Sequence, residues 1–299
     1  MKLLNDSDVK RIRTGEAVVV MDQVFKIRSE GKFISPPRMH MDSADGKIVF
    51  TPGGSLMDHV MGFRVYTTFG DEQITIVYDS RTGTLKGAVI GDYLGALRTG
   101  SIGSVSTKYM SNPDSRVLGI IGTGKQAFTQ AITSASVRNF SEIHVFSRDN
   151  EKRKLFAESL NRVTGIKTFP DESSSSVARI SDVLVLATNS PFPVVKSSDI
   201  NPGTHIITVG KKSVKEHELD LDIAERSSVI ATDSVAQINS YDPPHFLAKV
   251  VTKNRIVELS DIVSGKIPGR KNRDDITLFL SVGLSGTEVA LADYLLNLS

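Results

Sequence analysis

The chain contains no cysteine, which removes disulfides, thiolate metal ligands and a cysteine nucleophile from consideration. It also has no apolar run approaching the ~18 residues that a membrane-spanning helix needs. Its start, Met1-Lys-Leu-Leu-Asn-Asp-Ser-Asp8, lacks the apolar centre of a secretion signal, so a cytoplasmic location is expected. A surplus of charge is missing too. Spread along 299 residues, 36 basic and 34 acidic side chains leave a formal +2, which offers no footprint for a phosphate backbone or an anionic bilayer. Neither nucleic acid nor membrane is an expected partner. The six histidines have no metal-ligand spacing among themselves or with carboxylates, so no metal is expected either. There is no Gly-x-Ser-x-Gly nucleophile turn to suggest a hydrolase of that class.

What the chain does hold is a glycine turn. Arg116-Val-Leu-Gly-Ile-Ile-Gly-Thr-Gly-Lys-Gln-Ala127 carries an apolar run into the pattern G-x-G-x-x-A, and a helix-like segment leaves it. Gly122 would make the tight turn, Gly124 would let backbone N–H groups approach a pyrophosphate, and Ala127 would let the helix lie close to its strand. The phosphates would sit at that helix's positive end, with Thr123, Lys125 and Gln126 in the same turn. A helix from Gln126 to Val137, a strand Ile143–Phe146, a helix Asn150–Asn161 and a strand Val183–Ala187 give β-α-β-α-β spacing. Further strands at Thr204–Val209 and Val229–Thr232 extend the parallel sheet to at least five.

The first ~110 residues have a different texture. Asn5-Asp-Ser-Asp8 resembles a helix cap, and a helix is expected from Glu16 to Glu30. Strands at Lys47–Thr51, Gly62–Thr68, Gln73–Asp79 and Leu85–Ile90 make an antiparallel sheet, with a hairpin turn at Arg81-Thr-Gly83. A helix from Tyr93 to about Met110 leads to a linker, Ser111–Ser115. The fold class is therefore α/β, a Rossmann-type parallel-sheet domain plus an α+β domain. The expected domains are residues 1–112, completed by a C-terminal helix within 284–299, and residues 113–283. The serine tract Ser173–Ser176 reads as a loop or a helix start.

At the end of the second strand, where NAD-selective folds place an acidic residue, the chain has Ser147-Arg148. A missing carboxylate beside a guanidinium favours NADP(H), with NAD(H) still possible. Asp149 could cap the next helix or reach a ribose hydroxyl.

Four blocks give the chain a resemblance to a known family: Pro36-Pro-Arg-Met-His40, Leu97-Arg-Thr-Gly100 with Ser106-Thr-Lys-Tyr109, the glycine turn, and Val263-Ser-Gly-Lys-Ile-Pro-Gly-Arg270 followed by Ile276-Thr-Leu-Phe279 and Ser281-Val-Gly-Leu284. It resembles the ornithine cyclodeaminase and mu-crystallin family of NAD(P)-dependent enzymes, from Pro36 to the C-terminus. The resemblance implies a homodimer, with the N-terminal region and C-terminal helix forming the substrate and dimerisation domain. It implies a small amino or imino acid as substrate, and a hydride moved between nicotinamide C4 and the substrate α-carbon. By the same resemblance Arg38 and Arg98 hold the α-carboxylate. Lys125 and Gln126 line the pyrophosphate, Thr188, Asn189, Val209 and Gly210 face the ribose and nicotinamide, and Ser281 and Val282 border the ring.

Two positions depart from the family pattern. Arg64, in Gly62-Phe-Arg-Val65, stands where cyclodeaminases and alanine dehydrogenases carry a lysine, and Lys212 stands where they carry an aspartate. An arginine orients and stabilises charge but exchanges protons poorly at neutral pH. Lys212 could act as an acid toward an imine, if burial or Lys211 eased its deprotonation, or it could contact phosphate or solvent. Arg64 and Lys212 are the catalytic candidates, with His40 and His245 as alternative proton donors. The expected function is an imine reductase or amino-acid dehydrogenase. Ornithine cyclodeaminase and a non-catalytic, NADP-dependent ligand carrier are the alternatives.

Overall fold

Alternating burial organises the N-terminal part of the chain. The computed structural model describes residues 2–248 and 256–298. Strand β1 (Lys2–Asn5) is followed by α1 (Asp6–Val9), α2 (Thr14–Ser29), β2 (Phe33–Ile34), β3 (Met39–Asp42), β4 (Lys47–Ser55), β5 (Val60–Thr67), β6 (Gln73–Asp79) and β7 (Leu85–Ile90). They form one seven-stranded sheet, antiparallel except where β1 runs parallel to β7, in the order β1-β7-β6-β5-β4-β2 with β3 also on β4. Asn5 caps α1 with Asp8 closing the box, as the sequence suggested. At the β6–β7 hairpin Gly83 takes φ 69°.

Strand β4 runs past Thr51, where Pro52-Gly53-Gly54 reads as a break. The two glycines are what let it continue, because a Cβ on Gly54 would lie 2.2 Å from the Val60 carbonyl oxygen and one on Gly53 2.7 Å from the Gly286 Cα.

Helix α3 (Tyr93–Met110) follows the predicted span. The domain boundary does not: two compact units meet at Arg98/Thr99, inside α3, rather than in the 111–115 linker. The first unit comprises the residues up to Arg98 together with those from Gly283 onward, and the second comprises Thr99–Val282.

In the second unit come β8 (Val117–Ile121), α4 (Lys125–Ser134), β9 (Glu142–Phe146), α5 (Asn150–Thr164), β10 (Lys167–Pro170), α6 (Ser174–Ile180), β11 (Val183–Leu186), β12 (His205–Thr208), α7 (Leu221–Arg226), β13 (Val229–Thr232), α8 (Val235–Asn239), β14 (Ile256–Glu258), α9 (Leu259–Val263) and β15 (Thr277–Leu280). All eight strands are parallel, in the order β10-β9-β8-β11-β12-β15-β13-β14. Strands β11, β12 and β15 are buried along their whole length, as expected of a sheet covered on both faces. The order reverses direction between β8 and β11, and in open sheets ligands bind at the carboxyl ends of such strands. Ser173 caps α6, so the serine tract is a helix start. Helix α10 (Thr287–Leu298) returns the chain to the first unit and packs on α2 and on β4 to β7.

Two arginines secure the C-terminal end of α3. Arg270 donates to the carbonyls of Met110 (3.0 Å), Gly203 (2.9 Å), Arg273 (2.9 Å) and Asp275 (2.5 Å), and Arg138 to those of Thr107 (3.1 Å) and Lys108 (2.8 Å). Helix-end carbonyls have no partner of their own and are well served by a cation. Beside them His205 is wholly buried, 3.1 Å from Ser106 Oγ and 2.9 Å from Thr277 Oγ1. Burial, and then the charges of Arg270 and Arg138, push its pKa from 6.5 down to about 3.

The folded protein therefore keeps His205 neutral while the unfolded chain takes up a proton below pH 6.5. The stability from this group is complete above pH 6.5 and is lost as the pH falls toward 3, by up to about 1.4 kcal/mol per pH unit. Urea unfolding of wild type and His205→Gln between pH 4 and 7 should show the slope of stability on pH shallower in the variant by close to one proton. Equal slopes would show that His205 does not carry the effect.

Candidate active site

In the second unit the glycine turn has the geometry its sequence called for. Gly122 has φ 120°, donates its N–H to the Phe146 carbonyl (2.9 Å), and passes so close to β11 that a Cβ would lie 2.2 Å from the Ala187 oxygen. Gly124 is the N-cap of α4, and a Cβ there would meet nothing within 4 Å. Open space at an exposed helix N-terminus, beside Thr123, Lys125 and Gln126, fits a pyrophosphate. Ala127 is buried against the sheet.

At the end of β9, Ser147 is half-buried and Arg148 exposed. Asp149 caps α5, accepting from the Lys152 N–H at 3.0 Å, the first of the two roles the sequence left open for it. Arg153 is an unforeseen part of this corner. It is buried, lies over the Phe146 ring at 5.5 Å, and donates to the Ser147 carbonyl (2.9 Å), holding the 147–149 turn from behind.

One carboxylate ties the ends of β11 and β12 together. Glu218 is fully buried and accepts from Thr188 N–H and Oγ1 (2.8 Å each), Thr208 Oγ1 (2.8 Å), Val209 N–H (3.2 Å) and Gly210 N–H (2.6 Å). It thereby sets Thr188, Val209 and Gly210 in place together, with exposed Asn189 following Thr188. Sequence reasoning gave Glu218 no role. The nearby run of strand-end candidates was its one clue. Ser281 and Val282 are buried at the end of β15, and Val282 N–H donates to buried Asp233 (2.9 Å).

Lys212 is buried, with Nζ donating to the Gly210 carbonyl at 2.6 Å. Near it, His245 accepts from the Leu247 N–H on Nδ1 (3.3 Å), and burial followed by the charges of Lys212 and His217 brings its pKa down to about 3. A neutral imidazole of that kind is no proton donor at neutral pH, which weighs against His245 in that role. His40 lies exposed on β3, 3.2 Å from Lys47 Nζ.

In the first unit three arginines gather around one acid. Glu288, in the first turn of α10 and 1 % exposed, accepts from Arg64 Nη1 (2.8 Å) and from Arg98 Nε and Nη2 (2.9 Å each). Burial pushes the Glu288 carboxyl up, but Arg98 and Arg64 outweigh it and hold the pKa at about 2. Arg64 is held further by Gln73 and by the Tyr66 ring, 4.4 Å below its guanidinium, and Gly95 of α3 leaves room for it. Arg38 joins from the β2–β3 connection. A Cβ at Gly283 would lie 2.6 Å from Arg38 Nη2 and 3.7 Å from Arg98 Nη2, so two guanidiniums converge on a spot that a glycine keeps open. Arg98 Nη1 is buried and has no hydrogen-bond partner.

The sequence profile of the ornithine cyclodeaminase/mu-crystallin family matches residues 2–297. The chain belongs to this family. Membership thus reaches further toward the N-terminus than the blocks beginning at Pro36. A Delta(1)-pyrroline-2-carboxylate reductase of Bacillus thuringiensis subsp. konkukian is 29 % identical, over 95 % of this chain and 92 % of the relative. Among solved structures, the Thermococcus litoralis Delta(1)-pyrroline-2-carboxylate reductase in complex with NADH and L-proline superposes with a TM-score of 0.91 at 30 % identity, covering 99 % of this chain and 97 % of the other. An archaeal alanine dehydrogenase dimer with bound NAD gives 0.89 at 25 %, covering 99 % and 94 %.

Proposed function

We propose that this protein is an NAD(P)-dependent oxidoreductase that delivers hydride to the α-carbon of a small 2-imino acid. The observation that carries this reading is the convergence of Arg38 and Arg98 on the space kept open by Gly283. Arg98 keeps a buried Nη1 with no hydrogen-bond partner, and a planar carboxylate takes bidentate hydrogen bonds from a guanidinium. The second unit, taken by itself, has a glycine turn open at Gly124 and strand ends fixed by Glu218, features that suit a dinucleotide. The relatives named for pyrroline-2-carboxylate reduction and the complexes with NADH or NAD support the same chemistry.

In this reading nicotinamide supplies the hydride. Arg38 and Arg98 hold the carboxylate, and Arg64 contributes a fixed positive charge. Thr188, Val209, Gly210, Ser281 and Val282 border the dinucleotide, and Lys212 is the buried group that gives or steadies the imine proton. The product is the amine with its α-carbon reduced. A homodimer also belongs to the reading: on the first unit Ile34, Leu56 and Met61 are exposed around an apolar depression shared with Pro52, Phe63 and Tyr78.

Consumption of reduced cofactor should be followed with pyrroline-2-carboxylate, piperideine-2-carboxylate and pyruvate plus ammonia, alongside proline release from ornithine. Turnover of an imino acid with negligible proline from ornithine is expected, because Lys212 and Arg64 replace the acid and the lysine that cyclodeamination uses. Bound cofactor without turnover of any imino acid would favour a carrier instead.

NADP(H) is the proposed preference, resting on Ser147 and exposed Arg148 with Arg153 behind the turn. Ser147→Asp puts a carboxylate beside the 2′-phosphate position and should lower kcat/KM for NADPH roughly tenfold while raising it for NADH. A wild-type enzyme that already prefers NADH would remove Arg148 from the argument.

A further inference from the structure

Arg98 is the hinge of the arginine cluster. Glu288 holds it at Nε and Nη2, Nη1 is buried with no hydrogen-bond partner, and Nη2 is also the atom on the Gly283 side, where Arg38 Nη2 lies. A guanidinium gripped along one edge presents its remaining edge in one orientation only. The same Glu288 oxygen also grips Arg64, whose other donors go to Gln73. Arg64 and Arg98 against this one carboxylate leave the trio at about +1, which a substrate carboxylate would neutralise.

We propose that Glu288 is a positioning residue for the bound substrate, a role that rests on the imino-acid reading above: it aims Arg98 at the carboxylate and, by cancelling one of the two positive charges it touches, keeps anion binding weak enough for turnover. Glu288 performs no proton transfer. Its carboxyl stays ionised far below any working pH, so the pH dependence of kcat carries no step from it.

Two effects of Glu288→Gln then point in opposite directions. The neutral amide leaves the cluster more positive, which favours any carboxylate, while the loss of the fixed partner lets Arg98 turn and blurs the position of the α-carbon. Binding tolerates such blurring and hydride transfer does not. The probe is pyrrole-2-carboxylate, a planar carboxylate that cannot accept hydride, titrated into the enzyme loaded with reduced cofactor. The Kd for it should fall at least about threefold in Glu288→Gln, while kcat on the imino acid falls at least about tenfold. Glu288→Asp keeps the charge and shortens the reach, so its Kd should stay within about twofold of wild type with kcat reduced.

Weaker pyrrole-2-carboxylate binding in Glu288→Gln, in step with lower kcat, would reduce Glu288 to a structural strut and overturn the proposal. So would a variant unchanged in both. If Glu288→Gln does not fold, Glu288→Asp decides: lowered kcat with unchanged Kd supports positioning, and no change in either sinks it. A wild type that neither binds the probe nor reduces any imino acid defeats the functional reading itself, and the wild-type titration alone reveals that case.

Discussion

Arg98→Ala should lower kcat/KM by between about ten- and about 150-fold, because a charge-assisted contact to the substrate carboxylate is worth roughly 1.5–3 kcal/mol and the variant loses it entirely. The structure adds a second consequence. Arg98 contributes two of the three guanidinium contacts to Glu288, which is 1 % exposed. Removing it leaves a buried carboxylate with Arg64 as its remaining cation, and breaking a buried pair from one side typically costs about 3–5 kcal/mol of stability. Water entering the truncated site would soften that cost. Kinetics and urea unfolding should therefore both respond, and the Glu288 carboxyl, freed of its stronger neutraliser, should titrate at higher pH. Unchanged kinetics on the true substrate would take Arg98 out of the site. A large kinetic loss at unchanged stability would mean that the Glu288 pair is weaker than its geometry implies.

The second large effect falls on stability rather than catalysis. Arg270→Ala removes a half-buried guanidinium whose donors serve four carbonyls and the Thr277 hydroxyl. Burial lowers the pKa of Arg270, a sign of how far the site is from water; Met110 keeps Thr277 Oγ1 as a donor and Gly203 and Arg273 keep Asn112 Nδ2, while the Asp275 carbonyl loses its Arg270 donor, at about 1–3 kcal/mol where water cannot reach it. A loss of about 1–3 kcal/mol is expected by chemical denaturation, with Arg270→Lys rescuing only part of it. An ammonium has three donors and no planar fork to span four separated acceptors. If Arg270→Ala unfolds at the wild-type denaturant concentration, the end of α3 is held by other means.

The sequence was most legible where one periodicity ran without interruption. Strands β6, β7 and β13 and the whole of α3 fall where alternation or helical spacing put them, because burial on one face is written directly into residue order. Legibility fell where backbone geometry overrode composition. Pro52-Gly53-Gly54 looks like a turn, yet it lies within β4, since the same lack of a side chain that breaks a strand also lets two chains approach. Strand β10, four residues ending in Pro170, carries too little pattern to register. The unit boundary was misplaced because Ser111–Ser115 has the composition of a linker. The chain changes unit instead within α3, where residue order shows no seam.

In the site, the arginines could be read because a carboxylate clamp needs that residue type. Glu288 and Glu218, the acids that arrange those arginines and strand ends, could not be placed: the partners of Glu288 lie far off in sequence, and those of Glu218, though within 30 residues, sit at the ends of two strands that only the sheet brings side by side. Only the fold brings position 288 to positions 64 and 98.

Glu218 also bears on how such a chain can change by descent. Because a single side chain closes the ends of both β11 and β12, an insertion that shifts Thr188 alone, or Gly210 alone, strands donors on the other strand as well. The two loops that leave those strands are bound to one fate. Differences in length among related chains should be absorbed elsewhere, in turns such as 43–46 or 69–72, while substitutions around 188 and 208–210 should arise as sets, each needing its counterpart before either is tolerated.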